Sequence, residues 1–504
     1  MTAVESLLAV ALTLRGAEVH FWLCDEVLPA CMESTIHQFP DLAEFVAHGP
    51  AARMCRRCWN VGRATYEPLG LPLHRYSQWV TSDEVSAIRR LVARLPMDEI
   101  PSYRLDGLAV GEHALAGALR FFARGTLTDE PSAQAVLRRY LHAALLTVYA
   151  ARRLLDSQHF SRACFNHGIY VPQGILGEVA RQRGLPVVNW IPAYRKRCFI
   201  FSHEDTYHHT LMNEPVSAWE TMAWTAEREE EVMDYLKSRW YGTRDWIWFH
   251  DKPQEDLVSI SRDFGIDFKR PTISLLTNVM WDAQLHYPVN AFPNMLDWVL
   301  KTIDYFARRP DLQLVIRVHP AEVRGGIPSR QPIVAEIERA YPTGLPPNVY
   351  VIPPDHQAST YAIALHSNAV VIYGTKTGVE LTAFGIPVIV AGEAWIRNKG
   401  ITFDARSQDE YFALLDRLPF PTRLDEDTRR RARMYAYHFF FRRMIPLSVV
   451  EPRAGWPRFA LKIDRLAQLA PGSDPGLDVI CSGILTGAPF VYPAETLAGN
   501  NTHA

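Results

Sequence analysis

The sequence predicts an α/β protein made of two doubly wound domains, and three observations carry that expectation. Short β-branched apolar runs recur with helical segments between them, and Gly or Gly-Pro steps lead into several of the runs. Most runs are apolar throughout instead of alternating, as strands are when helices cover both faces of a parallel sheet. At 504 residues and 48% hydrophobic content the chain can bury two cores of ordinary size.

The elements follow in order. SLLAVALTLRGAEVHFWLCD reads as a helix, a break at Gly16 and a strand ending in Cys24, Asp25 and Glu26. Apolar residues at 136, 137, 140, 141, 144, 145 and 148 fall on one helical face. ACFNHGIYVPQGILGEVARQRGLPVVNW then gives strand, turn, helix and strand, so an α/β domain spans 1–215. Residues 216–268 are charged and helical, and the run EREEEVMDYLKSRW is expected as a connector with a solvated face. The cluster after it sets Trp240, Trp246 and Trp248 as either a sugar-stacking platform or core. A second α/β series, TISLLTN, MLDWVLKTIDYFARR, LQLVIRVHP, NVYVIPPDH, STYAIALH, NAVVIYGTKTG and IPVIV, fills 269–420. Residues 421–504 hold one long helix, DEDTRRRARMYAYHFFFRRM, and a tail with few periodic signals.

Composition narrows the function classes. A net charge of −2, from 53 basic and 55 acidic residues, supplies no global field for nucleic acid, so any basic site is local. The first residues lack a basic start and a small-residue cleavage site, and no apolar run is long enough to span a bilayer, which sets the expectation of a cytoplasmic protein. Seven cysteines agree with a reducing compartment. Cys24, Cys31, Cys55 and Cys58 are a weak zinc candidate beside the alternative of packed thiols, because CRRC is half of a tetrahedral thiolate site and C-x6-C is a loose second half.

Ligands of doubly wound sheets bind beyond the carboxyl ends of the strands, so the residues following each strand are the candidates. In the second domain these include Thr277, Asn278, His319, Asp355, His356, the turn Gly374-Thr375-Lys376-Thr377-Gly378, and Lys399. A helix starting near Thr377 would offer unpaired backbone N–H groups to a phosphate, with the threonine hydroxyls and Lys376 as further donors and Glu380 placed for ribose hydroxyls. The alternative is that Thr377-x-x-Glu380 is a capping box and nothing more. The turn is not a P-loop, since GxxxxGK[ST] is absent. In the first domain His167, in FNHG, is the first candidate base, because imidazole accepts a proton near neutral pH without tuning; Asp25 and Asp106 stand behind it.

RVHP at 317–320, the Gly/Thr-rich turn about fifty residues on, the helix with Glu380 and GIPVIV together resemble the C-terminal domain of GT-B glycosyltransferases, specifically the bacterial capsule and surface polysaccharide biosynthesis group. TNVMWD and KGITFD belong to the same likeness. The resemblance implies two Rossmann-like domains facing a cleft, with the donor domain second. It assigns Arg317 and His319 to the donor phosphate side, Thr375, Lys376, Thr377 and Gly378 to the phosphates, and Glu380 to the ribose. It further implies transfer of a sugar from a UDP-, CMP- or GDP-linked donor to a surface glycan, glycolipid or lipid-linked acceptor. No metal or other cofactor is needed, because helix dipole and cations can hold the departing phosphate. The turn departs from the serine-containing version, and the family's first strand is not found ahead of the first helix, which leaves open a late start or a member that lacks that strand. Contact of the late helix's arginines with anionic lipid is a lesser expectation. The rivals are a UDP-sugar 2-epimerase, a polyol-phosphate transferase, and a scaffold of a capsule assembly complex without catalysis.

Overall fold

The computed structural model describes residues 2–249, 252–283, 285, 289–455 and 458–497. It divides into two compact bodies: Met1–Thr210 with Ala283–Leu285 and Arg443–Tyr492, and Leu211–Asp282 with His286–Arg442 and Pro493–Ala504.

In the first body the helix Thr2–Thr13 buries Val4, Leu7, Leu8 and Ala11 and leads to β1 (Phe21–Leu23), which pairs in parallel with β2 (Leu73–Arg75). The long helix Pro131–Ser157 buries the periodic face read from the sequence, from Val136 to Val148. β3 (Ala163–Asn166) and β4 (Val187–Pro192) are parallel across the helix Gln173–Gln182. β5 (Cys198–His203) returns antiparallel to β4, because the connection between them is too short for a crossover. The parallel pairs of this body thus lie in two small separate sheets.

The second body is built on six parallel strands: β6 (Thr272–Leu276), β7 (Gln313–Arg317), β8 (Val349–Ile352), β9 (Ala369–Ile372), β10 (Val388–Val390) and β11 (Phe403–Asp404). Their order in the sheet is β11-β10-β9-β6-β7-β8, every neighbouring pair parallel. β6, β7, β9 and β10 are buried along their whole length, which is why they read as unbroken apolar runs. Chain order reverses between β6 and β9: the strands first step away on one side, then return and continue on the other.

Residues 216–249 are not a separate connector, although the charge run keeps its solvated face at Glu227, Glu230, Asp234 and Lys237. Trp219, Val232, Tyr235, Leu236 and Trp246 are buried, and the helix Ala226–Arg239 is part of the second body. The late helix Glu426–Tyr437 continues as one π-helical turn, His438–Arg442. The chain then re-enters the first body through β12 (Ile445–Pro446), antiparallel to β5, the hairpin of β13 (Val450–Pro452) and β14 (Phe459–Leu461), and the helix Pro475–Thr486. That last helix is capped by Asp474 and begins with proline, a start signal that its mixed face obscures in the sequence. Among the described residues, no helix is long and apolar enough to cross a membrane.

Candidate functional site

The reversal between β6 and β9 brings two sequence-predicted segments side by side. Thr277 and Asn278 leave the carboxyl end of β6; Gly374 and Thr375 leave that of β9. A Cβ placed on Gly374 would stand 3.3 Å from the Glu393 carbonyl oxygen and 4.0 Å from Asn278 Oδ1, so this turn comes close to the loops after β6 and β10. Thr277 Oγ1 accepts from the His319 N–H at 3.0 Å, which fastens the loop after β7 to the same edge. His319 Nδ1 in turn accepts from Ala321 N at 3.0 Å, and the ring packs edge-on against Phe249.

The helix Thr377–Ala383 starts at Lys376, with no side-chain cap, so Thr377 and Glu380 do not form a capping box. The hydroxyls of Thr375 and Thr377 lie 3.2 Å apart. Gly378 serves packing: a Cβ there would come within 2.7 Å of Ile372 Cδ1, and its absence lets helix and strand approach.

Charged candidates are engaged inside the second body. Lys376 Nζ bonds Glu380 Oε1 at 2.9 Å, and Glu380 is fully buried. Glu380 Oε2 accepts from the Tyr361 hydroxyl at 2.5 Å and lies 3.1 Å from Arg239 Nε. Arg239 also pairs with buried Asp245, whose other oxygen accepts from Tyr235 at 2.8 Å. Burial pushes the Glu380 carboxyl up, but Arg239, Lys376 and the Tyr361 hydrogen bond together hold it below the usual carboxylate range. For Lys376, burial and the neighbouring Arg239 outweigh Glu380 and lower the ammonium's pKa. Sequence reasoning missed Arg239, Asp245 and Tyr361. A signal existed for the first: Arg239 stands seven residues after Val232, on the stripe that also holds Tyr235 and Leu236.

Arg317 is 1% exposed and donates to the carbonyls of Val318 (3.2 Å), Pro353 (2.5 Å) and His356 (2.9 Å). It ties the loops after β7 and β8 together; burial, with Arg324 adding, lowers its pKa to about 10. Lys399 is buried and donates to the Met212 and Glu214 carbonyls at 2.9 and 2.6 Å. Trp240 stacks on Tyr361, ring centroids 5.5 Å apart, Trp246 is buried, and Trp248 is exposed.

In the first body His167 follows β3 with φ +69°, its N–H donating to Trp190 O at 2.9 Å and its ring against Tyr170 and Tyr207. Burial, with Arg120 adding, pushes its pKa down to about 3. Asp25 accepts from the Ser77 N–H at 3.0 Å and from the Ser77 hydroxyl. Asp106 occupies a left-handed turn and pairs with Arg152 at 2.7 Å. Cys24, Cys31, Cys55 and Cys58 are free thiols; burial pushes Cys24 up to about 11 and Cys31 to about 12. Among the described residues no three His, Cys, Asp or Glu side chains gather as metal ligands.

No family model and no curated protein matches the chain. Among solved structures it is similar to the KpsC β-Kdo 2,4 transferase of Thermosulfurimonas dismutans, at 13% identity over 54% of this chain and 78% of that one, TM-score 0.34. The KpsC β-Kdo 2,7 transferase of the same organism gives 12%, 64%, 88% and 0.34. A UDP-GlcNAc 2-epimerase from Neisseria meningitidis gives 11%, 58%, 76% and 0.27. These likenesses are distant, and the site's own geometry is what bears on function.

Proposed function

We propose that the protein is a glycosyltransferase that takes a nucleotide-sugar donor on the second body and passes the sugar to a glycan or lipid-linked acceptor on the first. One observation carries this reading: the loops after β6 and β9, with Asn278, Thr375 and Thr377, flank the point where chain order reverses in a six-stranded parallel sheet. Open α/β sheets take their ligands at that point. Neutral donors there, backbone N–H groups, two hydroxyls and one carboxamide, suit phosphate oxygens and stabilise the charge that grows on the leaving diphosphate or monophosphate.

The test is thermal stabilisation by UDP, CMP, GDP and dTDP and their sugars. A ligand that binds only the native state adds about 2.7 kcal/mol at a hundred times its dissociation constant. One base class is expected to stabilise the protein, and Asn278→Ala combined with Thr375→Val to lower that effect. Epimerisation of UDP-GlcNAc without an acceptor would transfer the reading to an epimerase. Silence of every nucleotide would leave the scaffold.

A further inference from the structure

CRRC at 55–58 takes no part in the proposed transfer, and among the described residues no three side chains gather there as metal ligands. What remains is the chemistry of two thiols. The helix Cys55–Tyr66 opens on the motif: Cys55 is its first residue, and Cys58 stands three residues on. Residues three apart in a helix have Cα atoms about 5 Å apart, within the range of about 4.4–6.8 Å that a disulfide spans. Their Cβ atoms, about 5–6 Å apart, must approach to about 4 Å, so the first turn has to tighten. Little opposes that movement. The cap residue Met54 makes no side-chain bond to the turn, which is closed by Cys58 N donating to Met54 O at 2.9 Å.

The two sulfurs differ in access: Cys58 is exposed and Cys55 is buried. Arg56 and Arg57, between them, are both exposed. Arg53 and Arg63 pair with Glu44 and Glu67, whereas neither Arg56 nor Arg57 has an ion pair among the described residues. Two such guanidiniums attract an anionic oxidant and favour the thiolate beside them. Partial burial of the Cys58 sulfur, with Glu33 adding, raises its pKa. A raised pKa lowers the thiolate fraction but makes the thiolate a stronger nucleophile, so the two effects partly cancel. Cys31 is the rival partner for Cys55, because Ser34 Oγ lies 3.7 Å from both Cys31 Sγ and the sulfur of Met54, the residue before Cys55.

We propose that Cys55 and Cys58 are a redox modification site, a dithiol that a small disulfide of the glutathione type converts reversibly to an internal disulfide. The Cys58 thiolate attacks one sulfur of the oxidant, bonds to it and releases the other half as a thiolate. Cys55, having given its proton to solvent, then attacks the Cys58 sulfur and expels the second half. Two protein thiols are oxidised, one small disulfide is reduced, and the released thiolates take up the two protons. The site stands whether or not the transferase reading does.

The experiment treats the reduced full chain, with Cys164→Ser removing the other exposed thiol, with glutathione disulfide and locates the products by peptide mass spectrometry. A disulfide between Cys55 and Cys58 is expected, reversed by dithiothreitol. Cys55→Ser should stop at a glutathione adduct on Cys58. Cys58→Ser should slow the loss of the Cys55 thiol by about tenfold or more, since a buried sulfur then has to meet the oxidant directly. A Cys31–Cys55 disulfide, loss of the Cys55 thiol at the wild-type rate in Cys58→Ser, or survival of both thiols would each overturn the proposal. So would stoichiometric zinc that shields Cys24, Cys31, Cys55 and Cys58 together, which would make them a metal site instead.

Discussion

Replacing Arg239 with methionine tests the buried charge network most directly. The substitution keeps an unbranched side chain and removes a guanidinium that lies over the Phe440 ring, 5.0 Å from its centroid, and serves both Asp245 and Glu380. The two carboxylates fare differently. Glu380 retains Lys376 at 2.9 Å and Tyr361 at 2.5 Å, whereas Asp245 retains only the neutral Tyr235 hydroxyl at 2.8 Å among the hydrogen bonds described. Removing one partner of a buried pair costs about 3–5 kcal/mol, nearly all of it the stranded opposite charge. Asp245, with side-chain exposure of 3%, is therefore where that cost falls. The two compact bodies make a single unfolding free energy ill-defined, so the assay is amide hydrogen exchange of the helices Ala226–Arg239 and Thr377–Ala383. At 1.36 kcal/mol per decade, exchange there should quicken by about a hundredfold or more, with the helix Pro131–Ser157 unaffected as control. Adding Asp245→Asn should restore a large part of the protection, because the stranded charge is gone. Protection within about threefold of the wild type, or a double variant no better than the single, would show that the network does not hold this region.

Three further outcomes are expected. Glu322 is 1% exposed, and burial pushes its carboxyl up to about 7 from 4.5, against one hydrogen bond from Ile333 N. The unfolded chain gives up that proton first, so the second body should lose up to about 3 kcal/mol as pH rises from 4.5 through 7; Glu322→Gln should flatten this slope in urea midpoints measured against pH. Gly168→Ala should destabilise the first body by about 2 kcal/mol or more in thermal unfolding, because φ is +75° and a Cβ would overlap the Asn189 side-chain oxygen. Lys399→Met should speed proteolytic cleavage near residues 212–214, since the buried Met212 carbonyl loses its donor at about 1–3 kcal/mol and the half-buried Glu214 carbonyl loses it too.

The second body was legible because its strands are buried on both faces and announce themselves as apolar runs; β6, β7, β9 and β10 all lie where TISLL, LQLVIR, AVVI and PVIV placed them. The first body was less so. Its antiparallel β5 is as apolar as a parallel strand, with only the tight connection at 193–197 marking the return, and β12 pairs with it from more than two hundred residues away. At the site, strand ends located the loops correctly, but side-chain direction is set by partners remote in sequence. Nothing near Glu380 in the sequence reveals that Arg239 and Tyr361 will reach it.

That difference explains how the edge of the second sheet is built. Sequence reasoning treats a cation at a strand end as a ligand-binding charge, yet Arg317, Arg397 and Lys399 are each at most 1% exposed and donate to backbone carbonyls. Loops that leave a parallel sheet carry carbonyl groups with no strand partner, and a buried guanidinium or ammonium satisfies two or three at once. The cations thus fix the loops in place, and Lys376 is joined to Glu380 in the same interior network. What those fixed loops bring together at the reversal point is a set of neutral groups: Asn278, the Thr375 and Thr377 hydroxyls and the glycine backbone. For a phosphate held there, dipoles preset by buried charge act in place of mobile surface cations, and such dipoles need little reorganisation when negative charge develops.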